Sequence, residues 1–236
     1  HETREGVPIM KKLRLPEEIL LLALKDEDGT TYSGTSWPYA VAGAVLAELL
    51  LEERLRLDER EGKKLLRVAN RNPIGDPVVD QVLAKIANAK KSADMTTWLG
   101  RVAGMKDLMH QIAEPLALRG GVQVDTHKVM LIVSQRIDPE LDPAPELEIM
   151  HRVEHAVFSD EPSLDTRTAI LVALAHVSGV LNPLFGKKRI AERKQRLDRI
   201  AEDRPSAEAA RAAIEATQAA MAAIMAANVA IHVATT

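Results

Sequence analysis

The 236-residue chain contains no cysteine and few aromatic residues: two tryptophans, two tyrosines and two phenylalanines. Without cysteine it can form no disulfide, thiolate metal site or iron–sulfur cluster, which fits a reducing compartment. Aromatic residues make up 3% of the chain and hydrophobic residues 46%. Aliphatic side chains must therefore build most of the core, and the overall composition is typical of a folded globular protein.

Long apolar runs and a strong charge of one sign are also lacking. No segment approaches the roughly 18 consecutive apolar residues of a membrane span, and the first residues lack the apolar core of a secretory signal. We therefore expect a cytoplasmic protein, with residues 1–9 a tag or disordered tail and 10–236 a single domain. The net charge is −3, so any affinity for polyanions must come from local patches.

Apolar residues recur at helical spacing through most of the chain. In the second of these segments the apolar residues form one stripe, and the segment that follows Asp165 is the best candidate for a central core helix. Trp98 begins a stretch without clear periodicity. Helices are predicted over about 15–24, 38–53, 79–86, 106–118, 147–157, 165–181 and 206–233, with Asn182-Pro183 ending the sixth.

Two segments have the pattern of short β-hairpins. The first has arms at 54–58 and 64–68 around a polar turn that contains Gly62. The second has arms at 121–124 and 129–133, and its second arm is apolar on both faces. The fold class predicted is mainly α: a single-domain helical bundle surrounded by amphipathic helices, with two short β-hairpins.

Two groups of polar residues could hold a metal. His151, Glu154 and His155 match the His-x-x-Glu-His pattern of some zinc hydrolases, although no third ligand is marked in the sequence. Asp76 and Asp80 could bind magnesium, but capping of the helix that begins at Pro77 explains them more simply. We expect no catalytic residue, no metal and no cofactor, and keep the zinc hydrolase as a hypothesis that elemental analysis would test.

Two other features need no enzyme. Trp37 precedes Pro38, which favours an extended backbone and a surface indole, although a core tryptophan is equally compatible with the sequence. The apolar arm Val129, Met130, Leu131 and Ile132 occurs in a chain that also carries a basic segment at 187–199. An apolar wedge with cationic surroundings is typical of proteins that lie on anionic membranes.

Several stretches, taken in order and spacing, resemble the Golgi phosphoprotein 3 family of phosphatidylinositol 4-phosphate-binding peripheral membrane proteins, which has bacterial relatives. They include the 15–26 segment Leu-Pro-Glu-Glu-Ile-Leu-Leu-Leu-Ala-Leu-Lys-Asp, Glu48-Leu49, the 73–80 segment Pro-Ile-Gly-Asp-Pro-Val-Val-Asp, Trp98, Ile112-Ala113 and 165–176. The resemblance implies a mainly helical domain with a protruding hydrophobic hairpin.

The resemblance also implies a headgroup pocket built from a tryptophan, a helix arginine and an Arg-x-x-Arg pair. Trp37 matches the tryptophan, whereas the three arginine positions fall near Ala42 and on Lys106 and Met109. One lysine should hold a phosphomonoester more weakly than bidentate guanidinium groups do. Arg101 or Arg119 could substitute. Val129, Met130, Leu131 and Ile132 correspond to the hairpin that the family inserts into lipid.

These features predict a non-enzymatic, peripheral protein on the cytosolic face of a membrane, with Trp37 and Lys106 at the lipid headgroup. The expected partner is an anionic phospholipid membrane. Protein clients and a second copy of the chain are further possible partners, although no particular residue of the sequence points to them. The alternative is a winged-helix-like module for nucleic acid or protein, because a helix is followed by a hairpin at 38–68 and again at 106–133. Since no Lys or Arg lies between 38 and 53, nucleic acid is not expected as a partner.

Overall fold

The computed structural model describes residues 13–24, 36–60, 62–118, 122–125, 128–131, 145–202 and 208–234. Within these residues the chain forms eleven helices and two antiparallel hairpins, which confirms the predicted fold class. The elements are α1 (Leu15–Ala23), α2 (Trp37–Leu51), β1 (Leu55–Arg60), β2 (Lys63–Val68), α3 (Pro77–Ala87), α4 (Met95–Ala103), α5 (Leu108–Leu118), β3 (Val122–Asp125), β4 (Lys128–Leu131), α6 (Pro145–Phe158), α7 (Thr166–Val177), α8 (Leu181–Phe185), α9 (Lys187–Glu192), α10 (Lys194–Ala201) and α11 (Glu208–Ala234).

Helix α2 lies at the centre of the bundle. Every residue from 40 to 50 is buried, because α1, α4, α7 and α11 pack around it. Small residues permit this close approach: a Cβ added to Gly43 would lie 2.8 Å from Cβ of Ala220 in α11 and 2.9 Å from Leu174 in α7. The sequence pattern predicts that the apolar residues of α2 form one stripe, which is wrong because α2 is apolar around its whole circumference. A helix of this kind is buried on all sides.

Helix α7 is the second buried helix, as predicted from its apolar sequence. Its residues 168–175 are all buried, and Asp165 caps it by accepting a hydrogen bond from the amide of Thr168 at 3.0 Å. The helix ends earlier than predicted, at Val177, where Gly179 adopts a φ of 84°. Asn182 and Pro183 therefore do not end α7 but lie inside the short helix α8.

The two aspartates at the start of α3, Asp76 just before it and Asp80 in its first turn, accept hydrogen bonds from backbone amides. Asp76 accepts hydrogen bonds from the amides of Val78 and Val79 at 3.0 and 2.9 Å, and Asp80 accepts from the amides of Ile74 and Gly75 at 2.7 and 3.0 Å. The bonds to Asp76 satisfy amides of the first turn that have no partner inside the helix, so the capping interpretation is confirmed for Asp76. Asp80 does not cap the helix but accepts from two amides of the loop that precedes it.

The stretch around Trp98 differs from the prediction. It is the regular helix α4, capped by Asp94, and Trp98 lies in its buried face with an exposed fraction of 3%. The helix has only nine residues, among them two threonines and a glycine, so it contains too few apolar residues for a helical repeat to be recognised in the sequence.

Both predicted hairpins are confirmed in the backbone. In the first, Leu55 pairs with Val68 and Arg60 with Lys63, with Gly62 at a φ of 71° in the turn. In the second, Val122 pairs with Leu131, and the hairpin lies beside α5. Ile132 and residues 1–9 fall outside the described residues.

The winged-helix alternative meets a steric obstacle. The expected order of helix and hairpin occurs twice, but α2 is buried on all sides and cannot enter a groove of DNA. The other helix of this kind, α5, contains no Lys or Arg. Neither helix can supply the cations that nucleic-acid binding requires.

Candidate lipid-headgroup site

Trp37 is the first residue of α2 and is half-buried. Its side chain packs against the hydrophobic core, so part of the indole is covered and part is exposed. The preceding residue fixes this end of the helix, because the amide of Ser36 donates a hydrogen bond to the carbonyl of Ser178 at 2.9 Å. Trp37 therefore combines the two environments that the sequence left open.

Lys106 lies in the turn between α4 and α5. Its side chain is 93% exposed, and its Nζ is 4.0 Å from Oδ2 of Asp107. The turn itself is held in place: Asp107 has a φ of 53°, a conformation that aspartate tolerates, and the Gln111 side-chain amide donates to the carbonyl of Lys106 at 2.8 Å. The backbone of Lys106 is thus fixed while its ammonium group extends into solvent.

Within the described part of the chain, no hydrogen bond or ion pair joins Trp37 to Lys106. Of the other positions suggested for family arginines, Ala42 is completely buried and Met109 packs against the core. Arg101 is exposed and stacks over the ring of Trp98, with its Cζ 4.6 Å from the ring centroid. Arg119 falls outside the described residues.

A buried ionic cluster, which the sequence analysis did not predict, lies at the opposite end of α2 from Trp37. Glu48 is 0% exposed and accepts four hydrogen bonds of 2.9–3.0 Å: one from Arg14, one from the amide of Leu15 and two from Arg167. Arg14 also contacts Glu52 at 3.0 Å. We call Glu48, Arg14, Arg167 and Glu52 the Glu48 cluster. It joins α1, α2 and α7 at one point.

The electrostatics of this cluster favour the charged form of Glu48. Burial raises the pKa of Glu48, but the hydrogen bonds and charge of Arg167, with the Leu15 amide and Arg14, together hold that pKa below its ordinary value. Glu18 on α1 behaves in the opposite way, because burial raises its pKa and the charge of Arg152 offsets only part of that rise. The Oε2 of Glu18 has no hydrogen-bond partner among the described residues.

The zinc hypothesis receives no support from the described residues. They contain no group of three or more His, Asp or Glu side chains placed to hold a metal. Glu154 lies 3.8 Å from Arg189, and His155 lies 3.6 Å from Glu161, while His151 and His155 line one open cavity. Glu154 therefore lies next to a cationic side chain.

Comparison with known proteins identifies the family. The sequence profile of Golgi phosphoprotein 3 (GPP34) matches residues 15–217. The chain belongs to the Golgi phosphoprotein 3 family. It is also 23% identical over 222 residues to the vacuolar protein sorting-associated protein 74 of Schizosaccharomyces pombe, an alignment that covers 81% of this chain and 66% of that protein. The chain thus spans just under two thirds of the length of this relative.

Family membership confirms the resemblance predicted from the sequence. Two of the stretches that carried the resemblance, Glu48-Leu49 and 165–176, contribute Glu48 and Arg167, which form an ion pair in the Glu48 cluster. Among the described residues, no helix is both long enough and apolar enough to cross a membrane.

Proposed function

We propose that this protein is a non-catalytic peripheral membrane protein that binds anionic phospholipid, with phosphatidylinositol 4-phosphate as the headgroup recognised. In this proposal Trp37 and Lys106 contact the headgroup, and Val129, Met130, Leu131 and Ile132 enter the acyl region. Residues 10–236 act as one domain on the cytosolic face of the membrane, and protein clients and self-association accompany lipid binding.

The observation that carries the proposal is the family match over residues 15–217, which includes Trp37, Lys106 and both strands of the second hairpin. The name of the Schizosaccharomyces pombe relative connects that protein to vacuolar protein sorting. A protein that acts in sorting contacts both a membrane and cargo proteins. The relative's name is therefore consistent with our proposal that this chain has lipid as well as protein partners.

The path of the chain supports a common surface for Trp37 and Lys106. The hairpin β1–β2 follows the end of α2, and Leu65 of β2 forms a bridge with Asp94 at the start of α4. Helix α4 then packs against α2. We infer that the chain returns toward the start of α2, where Trp37 lies, before it reaches Lys106.

The polar chemistry of the two residues suits a lipid surface. A half-covered indole can lie at the level of the headgroups, where one part of the ring is apolar and the other is wet. An exposed lysine near an anionic surface contributes about 1 kcal/mol of attraction, which salt weakens. Because the ammonium group of Lys106 is 93% exposed and its one ion pair among the described residues is as long as 4.0 Å, its charge is available to a phosphate.

Vesicle flotation tests the proposal. The full chain is mixed with neutral vesicles and with vesicles that contain phosphatidylinositol 4-phosphate, and recovery in the floated fraction is measured. We expect recovery only with the phosphoinositide, an approximately fivefold weaker affinity for Lys106→Ala, and larger losses for Trp37→Ala and Met130→Asp. The Lys85→Ala variant removes the same charge from an exposed position on α3 and serves as the control.

Three results would contradict the proposal. Equal recovery with neutral and phosphoinositide vesicles would remove lipid recognition. Equal effects of Lys106→Ala and Lys85→Ala would remove Lys106 from the site and leave only general attraction of charge. A Met130→Asp variant that floats like the original chain would remove the hairpin from the membrane-inserting surface.

A further inference from the structure

A small cavity lies between α10 and the loop that precedes α7, away from the residues of the proposed lipid site. It encloses about 70 Å³, and Ser163, Arg196 and Arg199 contribute to its wall. A single water molecule needs about 10–15 Å³ of such space, so the cavity has room for several waters or for one tetrahedral oxyanion. Its polar lining is dominated by two arginines one helical turn apart.

Arg196 is buried and has no carboxylate partner among the described residues. Only 6% of the residue is exposed; its Nε donates to the carbonyl of Ala156 at 3.2 Å, and its Nη2 is buried with no hydrogen-bond partner among the described residues. A guanidinium group that is taken out of water loses its favourable hydration, and this loss destabilises the fold unless an opposite charge and hydrogen bonds replace the water. One neutral carbonyl does not supply that replacement.

The acidic residues nearby are engaged elsewhere. Asp160 lies 3.2 Å from Arg193, which also donates to the carbonyls of Val157 and Ser159. Glu161 lies 3.6 Å from His155. Both carboxylates therefore act on Arg196 only from a distance.

The surroundings of Arg196 are electropositive. Burial lowers the pKa of Arg196, and the charges of Arg199 and Arg193 lower it further. Arg199 is exposed, and within the described part of the chain its guanidinium group takes part in no ion pair and no hydrogen bond. The cavity thus combines a buried guanidinium group that has no carboxylate partner among the described residues with a second one at the surface, and Ser163, an exposed residue, also lines it.

We propose that Arg196 and Arg199, with Ser163, form a binding site for a phosphate group. Guanidinium groups hold phosphate oxygens through paired hydrogen bonds, and one bound phosphate would neutralise both arginines and give the buried Arg196 its missing acceptor. The phosphate could belong to a lipid headgroup or be free in solution. The site goes beyond the proposed function because it uses none of Trp37, Lys106 and the second hairpin.

Calorimetric titration of the full chain with inorganic phosphate, at constant ionic strength, tests the site. We expect one saturable event that is weakened about tenfold or more by Arg199→Ala and by Arg196→Met. Lys188→Ala, which removes one positive charge from the same basic segment on α9, should change the affinity less than about twofold. Since Arg199 is exposed, its variant remains informative if Arg196→Met fails to fold.

A vesicle arm distinguishes the two sources of phosphate. If the site takes a lipid headgroup, inorganic phosphate should compete with vesicles that contain a phosphomonoester lipid, and Arg199→Ala should reduce flotation more than Lys188→Ala does. Phosphate binding that depends on Arg199 without any change in flotation would assign the site to a soluble phosphate compound. Absence of saturable phosphate binding, or equal binding by the original chain and Arg199→Ala, would overturn the proposal.

This result is separable from that of the proposed function. Trp37→Ala and Lys106→Ala should reduce flotation while leaving the phosphate titration unchanged. Arg199→Ala should change the titration whether or not the first site binds lipid.

Discussion

Two arginines of this protein, Arg167 and Arg196, meet opposite surroundings within the same bundle. Arg167 donates two hydrogen bonds, of 3.0 and 2.9 Å, to the buried carboxylate of Glu48. Only 6% of Arg196 is exposed, yet in the described part of the chain its side chain donates a hydrogen bond only to a backbone carbonyl. A charge whose partner is internal contributes to holding the fold together, whereas a charge without one retains the capacity to bind an anion from outside. The comparison separates a stabilising site from a binding site.

The largest effect should come from removing the shared carboxylate. Glu48→Gln leaves Arg14 and Arg167 without their common negative charge, and we expect a loss of about 3–5 kcal/mol in the free energy of unfolding, measured by urea denaturation at neutral pH. Glu52→Gln is the control, because Glu52 contacts the same Arg14 but its side chain is 37% exposed. Its loss should stay below about 1 kcal/mol. Equal losses for the two variants would show that burial does not decide the strength of these pairs.

Arg167→Met should have a smaller effect than Glu48→Gln. Glu48 would keep the hydrogen bonds from Arg14 and from the amide of Leu15, so we expect a loss of about 2–3 kcal/mol in the same measurement. A loss that exceeds that of Glu48→Gln would mean that Arg14 and the amide of Leu15 do not compensate the buried carboxylate once the charge of Arg167 is removed. An uncompensated Glu48 would then cost more stability than two arginines without their carboxylate.

The pH dependence of stability should separate Glu48 from Glu18. The folded-state pKa of Glu48 lies below the ordinary value of 4.5, so its contribution is present above that pH and is lost as the pH falls through the folded-state pKa. The folded-state pKa of Glu18 lies above 4.5, so the chain loses stability as the pH rises through this range.

Urea denaturation between neutral pH and about pH 3.5 measures both effects. The difference in unfolding free energy between the original chain and Glu48→Gln should shrink as the solution is acidified. Relative to the original chain, Glu18→Gln should gain stability as the pH rises above 4.5. Differences that change in the same direction for both variants would contradict the assigned pKa directions.

Local patterns predicted much of the fold because helix period, capping and turns are local properties. Asp76 and Asp165 could be recognised as caps from their positions ahead of apolar runs, and both accept the expected amide hydrogen bonds. Helix α2 was predicted, but its burial was underestimated: Ala40, Ala44 and Ala47 sit between the larger apolar residues and leave no polar face. That absence was a readable signal of a helix buried on all sides.

The polar sites were harder to predict because they join distant parts of the chain. Glu48 stands alone in an apolar helix, which signals a buried carboxylate, but its partners Arg14 and Arg167 are 34 and 119 residues away. No local spacing relates these three positions. In the sequence, Arg196 is one of several cations in the basic segment 187–199, and only the packing of α10 distinguishes it from its exposed neighbours.

The smallest change in stability should come from Arg196→Met. This variant tests most directly whether Arg196 differs from Arg167 in lacking an internal partner. Replacing an unpaired buried guanidinium group by an apolar side chain of similar length removes a desolvation cost and leaves no carboxylate unpaired, so the free energy of unfolding should stay within about 1 kcal/mol of that of the original chain or rise. Added inorganic phosphate should raise the unfolding temperature of the original chain but not of Arg196→Met, because a ligand stabilises only the state that binds it. A loss as large as that of Arg167→Met would mean that Arg196 is already compensated inside the fold.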